Sequence, residues 1–219
     1  LRAVVREPVM LTYLDQHRSV GPNSPIGVRR ERGLNENFAR ELLELHTLGV
    51  DGPYGQQDVR QLAELLTGLT VNRPEGFRFR SRRAEPGAET VLGRSYGGED
   101  RASMTDIDAV LEDLARHPAT ARHVARKLAV HFVSDTPDPA LLEHVAAAYT
   151  ASGGALLVTY AALLAHPAAW EPERRKVRLP LEFVQAALRA LDPPEEAVMT
   201  RDRRAVNLQY KLPLRRMGQ

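Results

Sequence analysis

The sequence predicts an all-α fold: a mainly helical single domain with a small irregular β-hairpin near residues 76–94. Three observations predict it. Apolar residues recur at helical spacing in most segments, most clearly Phe38, Leu42 and Leu45 at i, i+4 and i+7. Prolines open several of these segments and glycines close them, the asymmetry that helices favour. Only residues 72–101 break the pattern, with Pro74, Gly76, Pro86, Gly87, Gly93, Gly97 and Gly98 between two runs of period 2.

In chain order, Pro8 opens a helix over 8–17 that carries Val9, Leu11 and Leu14. The turn-formers of 19–27 read as a loop, followed by the basic run 29–32. Asn35 is placed to cap a helix over 35–48, Glu36 favours its positive end, and Gly49 stands as its C′ residue. The turn 51–55 leads to a helix over 56–67 with Val59, Leu62, Ala63 and Leu66 on one face. In the interrupted region, alternation puts Phe77 and Phe79 toward the core and Arg78 and Arg80 toward water. Thr105-Asp-Ile-Asp108 resembles a capping box for a helix over 105–116. Pro118 and Pro139 start helices over 118–132 and 139–151, and Gly153-Gly154 ends the second. Further helices cover 155–165 and 180–191. One helical domain is expected over 1–191, a fragment of a larger one, with 192–219 a tail or truncated C-terminal element. His117-Pro-Ala and His166-Pro-Ala each precede a lysine by ten residues, an echo that reads as chance rather than duplication.

At 219 residues and 43% hydrophobic content, the chain can fill a core. The absence of cysteine excludes disulfides, thiolate zinc, iron–sulfur clusters, covalent haem attachment and a cysteine nucleophile. Thirty basic against 28 acidic residues give a net charge of only +2, which argues against nucleic acid despite the arginines between 73 and 83. No run approaches the ~18 apolar residues of a membrane span. No signal peptide is read, and because the first residue is Leu1, part of the N-terminus is expected to be missing. Dinucleotide, phosphate-loop, nucleophile-elbow and His-Glu-x-x-His motifs are absent, so no motif indicates a cofactor.

The densest polar constellation lies on the helix over 35–48. Asn37, Glu41 and Glu44 share a face at i, i+4 and i+7, with the pair Glu36 and Arg40 beside it. Two carboxylates one turn apart serve as acid and base or as metal ligands, while the plainer alternative is a solvated face of ion pairs. His46 stands two residues after Glu44, the wrong spacing for a helical Glu-x-x-His ligand pair, so the metal stays unknown. Candidates for catalysis are Glu41, Glu44, Arg40 and Lys127; those for binding are Asn35, Glu36, Asn37 and His46. On the helix over 118–132, His123, Lys127 and His131 share a stripe, but eight residues of rise, ~12 Å, are too far for one ion.

The run Leu34-Asn-Glu-Asn-Phe-Ala-Arg-Glu-Leu-Leu-Glu-Leu-His-Thr-Leu-Gly49 is distinctive. Together with Gln57-Asp-Val59, Leu66-Thr-Gly68, Val91-Leu-Gly93, His117-Pro-Ala-Thr-Ala121, His131-Phe-Val133 and the Lys176 to Pro180 segment, it resembles the bacterial family called domain of unknown function 1800. The resemblance runs from about residue 3 to 191. It implies a C-terminal part of a longer protein, since members are about twice this length. It also implies an exported or periplasmic location and, as a partner, a protein of the alkaline-phosphatase/sulfatase-like family encoded nearby. No reaction comes with it. This chain departs from the family pattern at Leu69, where a tryptophan is common, and at Ala84 and Glu89, where histidine and lysine are. If that histidine is catalytic in relatives, Ala84 removes both its lone pair and its proton. Two functions are therefore expected: first, a helical accessory or binding module of an exported system, using the 35–46 helix and the Gly-Pro-Asn loop before it. The alternative is a hydrolase-type enzyme, metal-dependent or not, with an acidic site on the Asn35–Glu44 helix.

Overall fold

A computed structural model describes residues 1–30, 33–72, 76–173 and 176–194, with 211, 212 and 215; most of the expected tail lies outside these. The fold is mainly helical, as the periodicity predicts. In order, helices α1 (Arg2–Val5), α2 (Pro8–Tyr13), α3 (Pro25–Arg30), α4 (Asn37–Glu41) and α5 (Gln56–Leu65) precede the strands. After them come α6 (Met104–Arg116), α7 (Pro118–Phe132), α8 (Pro139–Ala151), α9 (Leu156–Ala165) and α10 (Pro180–Leu191).

The β segment holds two antiparallel hairpins where the sequence suggested one. Strand β1 (Leu69–Asn72) pairs with β2 (Gly76–Phe79), and β3 (Pro86–Val91) with β4 (Arg94–Arg101). Phe77 and Phe79 pack against the core while Arg78 and Arg80 are exposed, as alternation requires. Leu92 and Gly93 turn β3 into β4 with φ of 51° and 75°, the two positive values of a type I′ turn. Leucine is unusual there; its amide donates to Asp58 Oδ1 at 2.7 Å, which ties the turn to α5.

Helix α5 sits at the centre of the larger core. Its expected face, Val59, Leu62, Ala63 and Leu66, is wholly buried against residues such as Leu43, Leu69, Ile107 and Leu111. Each such leucine contributes about 2 kcal/mol by leaving water, more than a surface ion pair does. A second cluster joins α7, α8 and α9 through Ala121, Ala125, Ala129, Leu141, Val145 and Leu163. Tyr149 on α8 donates its hydroxyl to Ala115 O at 2.8 Å and so links this bundle to α6.

Several boundaries differ from expectation, each for a local reason. The first helix stops at Tyr13 because Asp15 takes a left-handed conformation (φ 56°), and a single 3-10 turn follows. The loop over 19–27 turns helical at Pro25, since Ser24 Oγ accepts the Gly27 amide at 3.1 Å as an N-cap. Helix α6 is capped by Ser103 with Asp106, two residues before the expected box. The helix expected over 35–48 is α only to Glu41, then widens to a π turn over Leu42–His46. Thr47 Oγ1 donates to Leu42 O (2.8 Å) and the Gly49 amide to Leu43 O (3.1 Å), so side chain and amide take up the freed carbonyls. The wider turn changes the buried face: Leu43 is inside, and Leu45 is 47% exposed. Gly49, at φ 91°, cannot readily be replaced, because a Cβ there would lie 2.8 Å from His123 Nδ1.

The two His-Pro-Ala segments share a structural cause. His117 and His166 each accept the amide two residues on through Nδ1, at 3.1 and 3.3 Å, and proline follows as the first helical residue. A cap that accepts at Nδ1 needs neutral imidazole. Burial, with Arg122 nearby, holds the His117 pKa below its ordinary value. The folded chain therefore binds this proton less readily than the unfolded one. Stability from His117 is complete above about pH 6.5 and falls as the pH drops through the depressed folded value. His117→Asn should keep the cap and lose this acid sensitivity, and His117→Ala should cost about 1 kcal/mol at neutral pH. Melting temperatures of the three proteins from neutral to acid pH check this; parallel wild-type and Asn curves would contradict it.

Candidate functional site

The polar face of α4 is a ladder of mutual pairs. Arg40 reaches Glu36 at 3.4 Å and Glu44 at 3.7 Å, and its Nη2 donates to Gln56 Oε1 at 2.9 Å. Gln56 Nε2 in turn donates to Glu36 Oε2 at 2.7 Å. All of these groups are partly or well exposed. Asn35 is a capping residue, accepting the Asn37 amide through Oδ1 at 2.9 Å. His46 turns its Nδ1 to Glu41 O at 3.0 Å, and His123 directs Nε2 at Leu45 O from α7 at 3.1 Å. Lys127 lies exposed one turn further along α7. Arg40 thus joins Glu36 and Glu44, while His46 and His123 each face a backbone carbonyl of the same segment.

A second polar cluster, buried behind α5, was not singled out from the sequence. Glu64, Glu85 and Glu89 are 8%, 4% and 5% exposed, beside Arg83 at 8%. Glu85 is satisfied by its neighbours: the Asn23 amide donates to Oε2 at 3.0 Å, and Asn23 Nδ2 to Oε1. Its own amide donates to Thr67 Oγ1 at 2.8 Å, and Thr67 donates onward to Glu64 O at 2.6 Å. Gly21 lies so close that a Cβ would sit 2.7 Å from Glu85 Cα, which fixes glycine there. The Gly-Pro-Asn loop is therefore bolted to the interior by a buried carboxylate.

Arg83 corrects the expectation that the arginines of this region face water. Its Nη1 donates to Thr70 Oγ1 at 3.1 Å, and Thr70 donates to His17 O at 3.2 Å. Gln16 Nε2 adds a bond to Leu66 O at 2.8 Å. The 3-10 turn after α2, the end of α5 and strand β1 are stitched together by these buried groups.

Glu64 is held by Arg60 Nε at 3.2 Å and Gln61 Nε2 at 2.7 Å. Glu89 faces it from β3, and burial together with the Glu64 charge pushes Glu89 up to about 7. Here the departure at position 89 acquires a structural meaning. A lysine, as the family resemblance implies, would face Glu64 as a counter-ion; glutamate faces it as a like charge. Ala84, the other departure, is completely buried. The available signal was the spacing of Glu85 and Glu89, i and i+4 on an extended segment and hence on one side of it, starting two residues after an Arg-rich run.

Among the described residues, no three His, Asp or Glu side chains converge on a point that would hold a metal ion. A cavity of about 760 Å³ lies elsewhere, between the end of α7, the start of α8 and residues 168–173, with Phe132, Trp170 and Arg178 on its walls.

The two clusters differ in what a single deletion should do. Thr67→Val leaves the Glu85 amide buried without its acceptor and should cost about 2 kcal/mol. Glu44→Gln removes one member of an exposed ladder and should cost less than about 1 kcal/mol. Urea unfolding of both variants checks this, and an equal cost would contradict the ranking.

No helix among the described residues is long and apolar enough to cross a membrane. Neither a curated protein nor a solved structure matches the chain significantly. The family described as "Protein of unknown function (DUF1800)" matches residues 1–219, including the segment expected to be a tail. The chain belongs to that family.

Proposed function

We propose that the chain is a helical binding module of an exported bacterial system, holding its partner through apolar residues of α9, Trp170 and α10. The observation that carries the reading is the apolar surface these elements leave exposed among the described residues. Helix α9 buries only Thr159 and Leu163, while Leu157 is 82% exposed and Leu156, Val158 and Leu164 about half exposed. Trp170, 70% exposed, is pinned to the end of α9 by its Nε1 donating to Leu164 O at 2.6 Å. Helix α10 aligns Leu181, Val184, Leu188 and Leu191 along one stripe and buries none of them. Apolar patches of this kind mark contact surfaces more often than free ones.

The partner proposed is a protein of the alkaline-phosphatase/sulfatase-like family encoded nearby. Support for it, and for export and a bacterial source, is the family resemblance, whose members often carry export signals. The α4 face is the weaker contact surface, because Glu36, Arg40, Glu44 and Gln56 pair with one another and the Gly-Pro-Asn loop is held from within. The same pairing gives little support to the alternative, a hydrolase-type site on the Asn35–Glu44 helix.

The test is binding of the neighbouring sulfatase-like protein to immobilised chain. Leu157→Glu with Leu181→Glu, at positions 82% and 46% exposed, should leave melting unchanged and weaken binding by about tenfold or more. Unchanged binding by the variant would contradict the surface assignment. Activity lost in Glu41→Gln or Glu44→Gln at unchanged stability would favour the enzyme.

A further inference from the structure

The cavity of about 760 Å³ between the end of α7, the start of α8 and the 3-10 turn Pro167–Trp170 has walls fixed by side-chain bonds. Its volume falls in the range of small-molecule sites, roughly 300–1,000 Å³. Trp170 is held at the end of α9 by its Nε1 donating to Leu164 O at 2.6 Å. His166 caps the turn that carries it, accepting the Ala168 amide through Nδ1 at 3.3 Å. On the α7–α8 side, Ser134 Oγ accepts the Thr136 amide at 3.2 Å and Asp138 Oδ1 the Ala140 amide at 2.8 Å. Asp135 accepts the Val177 amide at 2.9 Å and Lys176 Nζ at 3.2 Å, which ties the segment bearing Arg178 to the same connection.

What these bonds leave over decides the ligand. Phe132 and Trp170, 65% and 70% exposed, put two aromatic rings on the walls of the recess. Lys176 is taken by Asp135, and Asp138 by the start of α8. Arg178 and Glu171 also line the cavity, and neither side chain meets a hydrogen-bond or ion-pair partner among the described residues. An anionic ligand would suit Arg178 but meet Asp138, Glu171 and Glu173. A cationic one would suit the aromatic faces but meet Arg178 and Lys176. A purely apolar one would cover the rings and strip water from an unpaired cation and an unpaired carboxylate. A hydroxyl both donates and accepts, so hydroxyls serve Glu171 and Arg178 alike. Sugar rings carry a rim of hydroxyls around C–H faces that lie flat on aromatic rings.

We propose that this cavity binds a neutral oligosaccharide, its ring faces on Trp170 and Phe132 and its hydroxyls on Arg178 and Glu171. The rings supply contact area, and the Trp170 indole is already pinned, so little side-chain freedom is lost on binding. Arg178 and Glu171 supply orientation, one donating to the sugar and the other accepting from it. Charge on the ligand is selected against in both senses, because both signs stand on the walls. The site does not rest on the partner reading above: Leu157 and Leu181 are not among its walls.

Trp170 is the one tryptophan of the chain, so its fluorescence reports on this cavity alone. The experiment titrates the whole chain with neutral hexasaccharides of glucose and of N-acetylglucosamine at millimolar concentration. At least one should give a saturable blue shift, as the indole leaves water. Phe132→Ala and Arg178→Ala, both at exposed positions, should keep the melting temperature and weaken that binding by about tenfold each. Leu157→Glu with Leu181→Glu should leave it unchanged, so failure here and failure of the partner reading are told apart. No response to any of the neutral sugars would overturn the proposal, as would full affinity in both cavity variants. So would a stronger response to tetramethylammonium or to a sulfated hexasaccharide at equal ionic strength, since the site would then select a charge.

Discussion

The buried carboxylate of Glu85 is the constraint on which the first half of the fold depends. A charge taken out of water is tolerated only where donors replace the lost hydration. Asn23 supplies them with its amide and side chain, and this requires the loop over 19–27 to lie directly on the chain entering β3. Gly21 follows from that approach, and the Gly21 amide donates to Arg83 O at 2.9 Å on the same segment. Thr67 then joins Glu85 to the end of α5. Hydrophobic burial drives α5 inward, but it does not say which loop lies over its end; the Glu85 bonds do.

The contrast with α4 separates two uses of charge in one chain. On α4, acid and base alternate at helical spacing in water, where pairing is worth little and is readily rearranged. Behind α5, fewer charges are buried, and Glu85 and Glu64 are held by particular donors, Asn23 for the first and Arg60 with Gln61 for the second. Specificity of arrangement therefore resides behind α5, whereas α4 contributes through its apolar side, Phe38, Ala39, Leu42 and Leu43. The π turn meets the second bundle, since Leu45 O within it faces His123 Nε2 on α7.

Local signals in the sequence carried most of the helical architecture. Val59, Leu62, Ala63 and Leu66 announced α5 by their spacing, and Pro118, Pro139 and Pro180 marked true first turns. The Ser103–Asp106 box was present in the sequence but lay two residues before the one favoured, and the Ser24 cap fell inside a stretch read as loop. The pairing of β2 with β1 was not read, because Leu69–Asn72 falls between the helix expected over 56–67 and the interrupted region beginning at 72. Nor was the buried acidic cluster. Glutamate in a sequence is read as surface, and its burial here depends on Asn23, Gln61 and Thr67, contributed by two separate stretches of chain. The candidate residues on α4 were visible because helical spacing alone places them together, and so was the Glu36–Arg40 pair; the bonds to Gln56 were not.

The central claim is that Glu85 fastens the loop over 19–27 to the interior. A double-mutant cycle on Asn23→Ala and Glu85→Ala, read by urea unfolding of the whole chain, tests it most directly. A charge-assisted buried bond predicts a coupling of about 1.5–3 kcal/mol between the two positions. Additive costs, with a coupling near zero, would mean that the loop is held by something else.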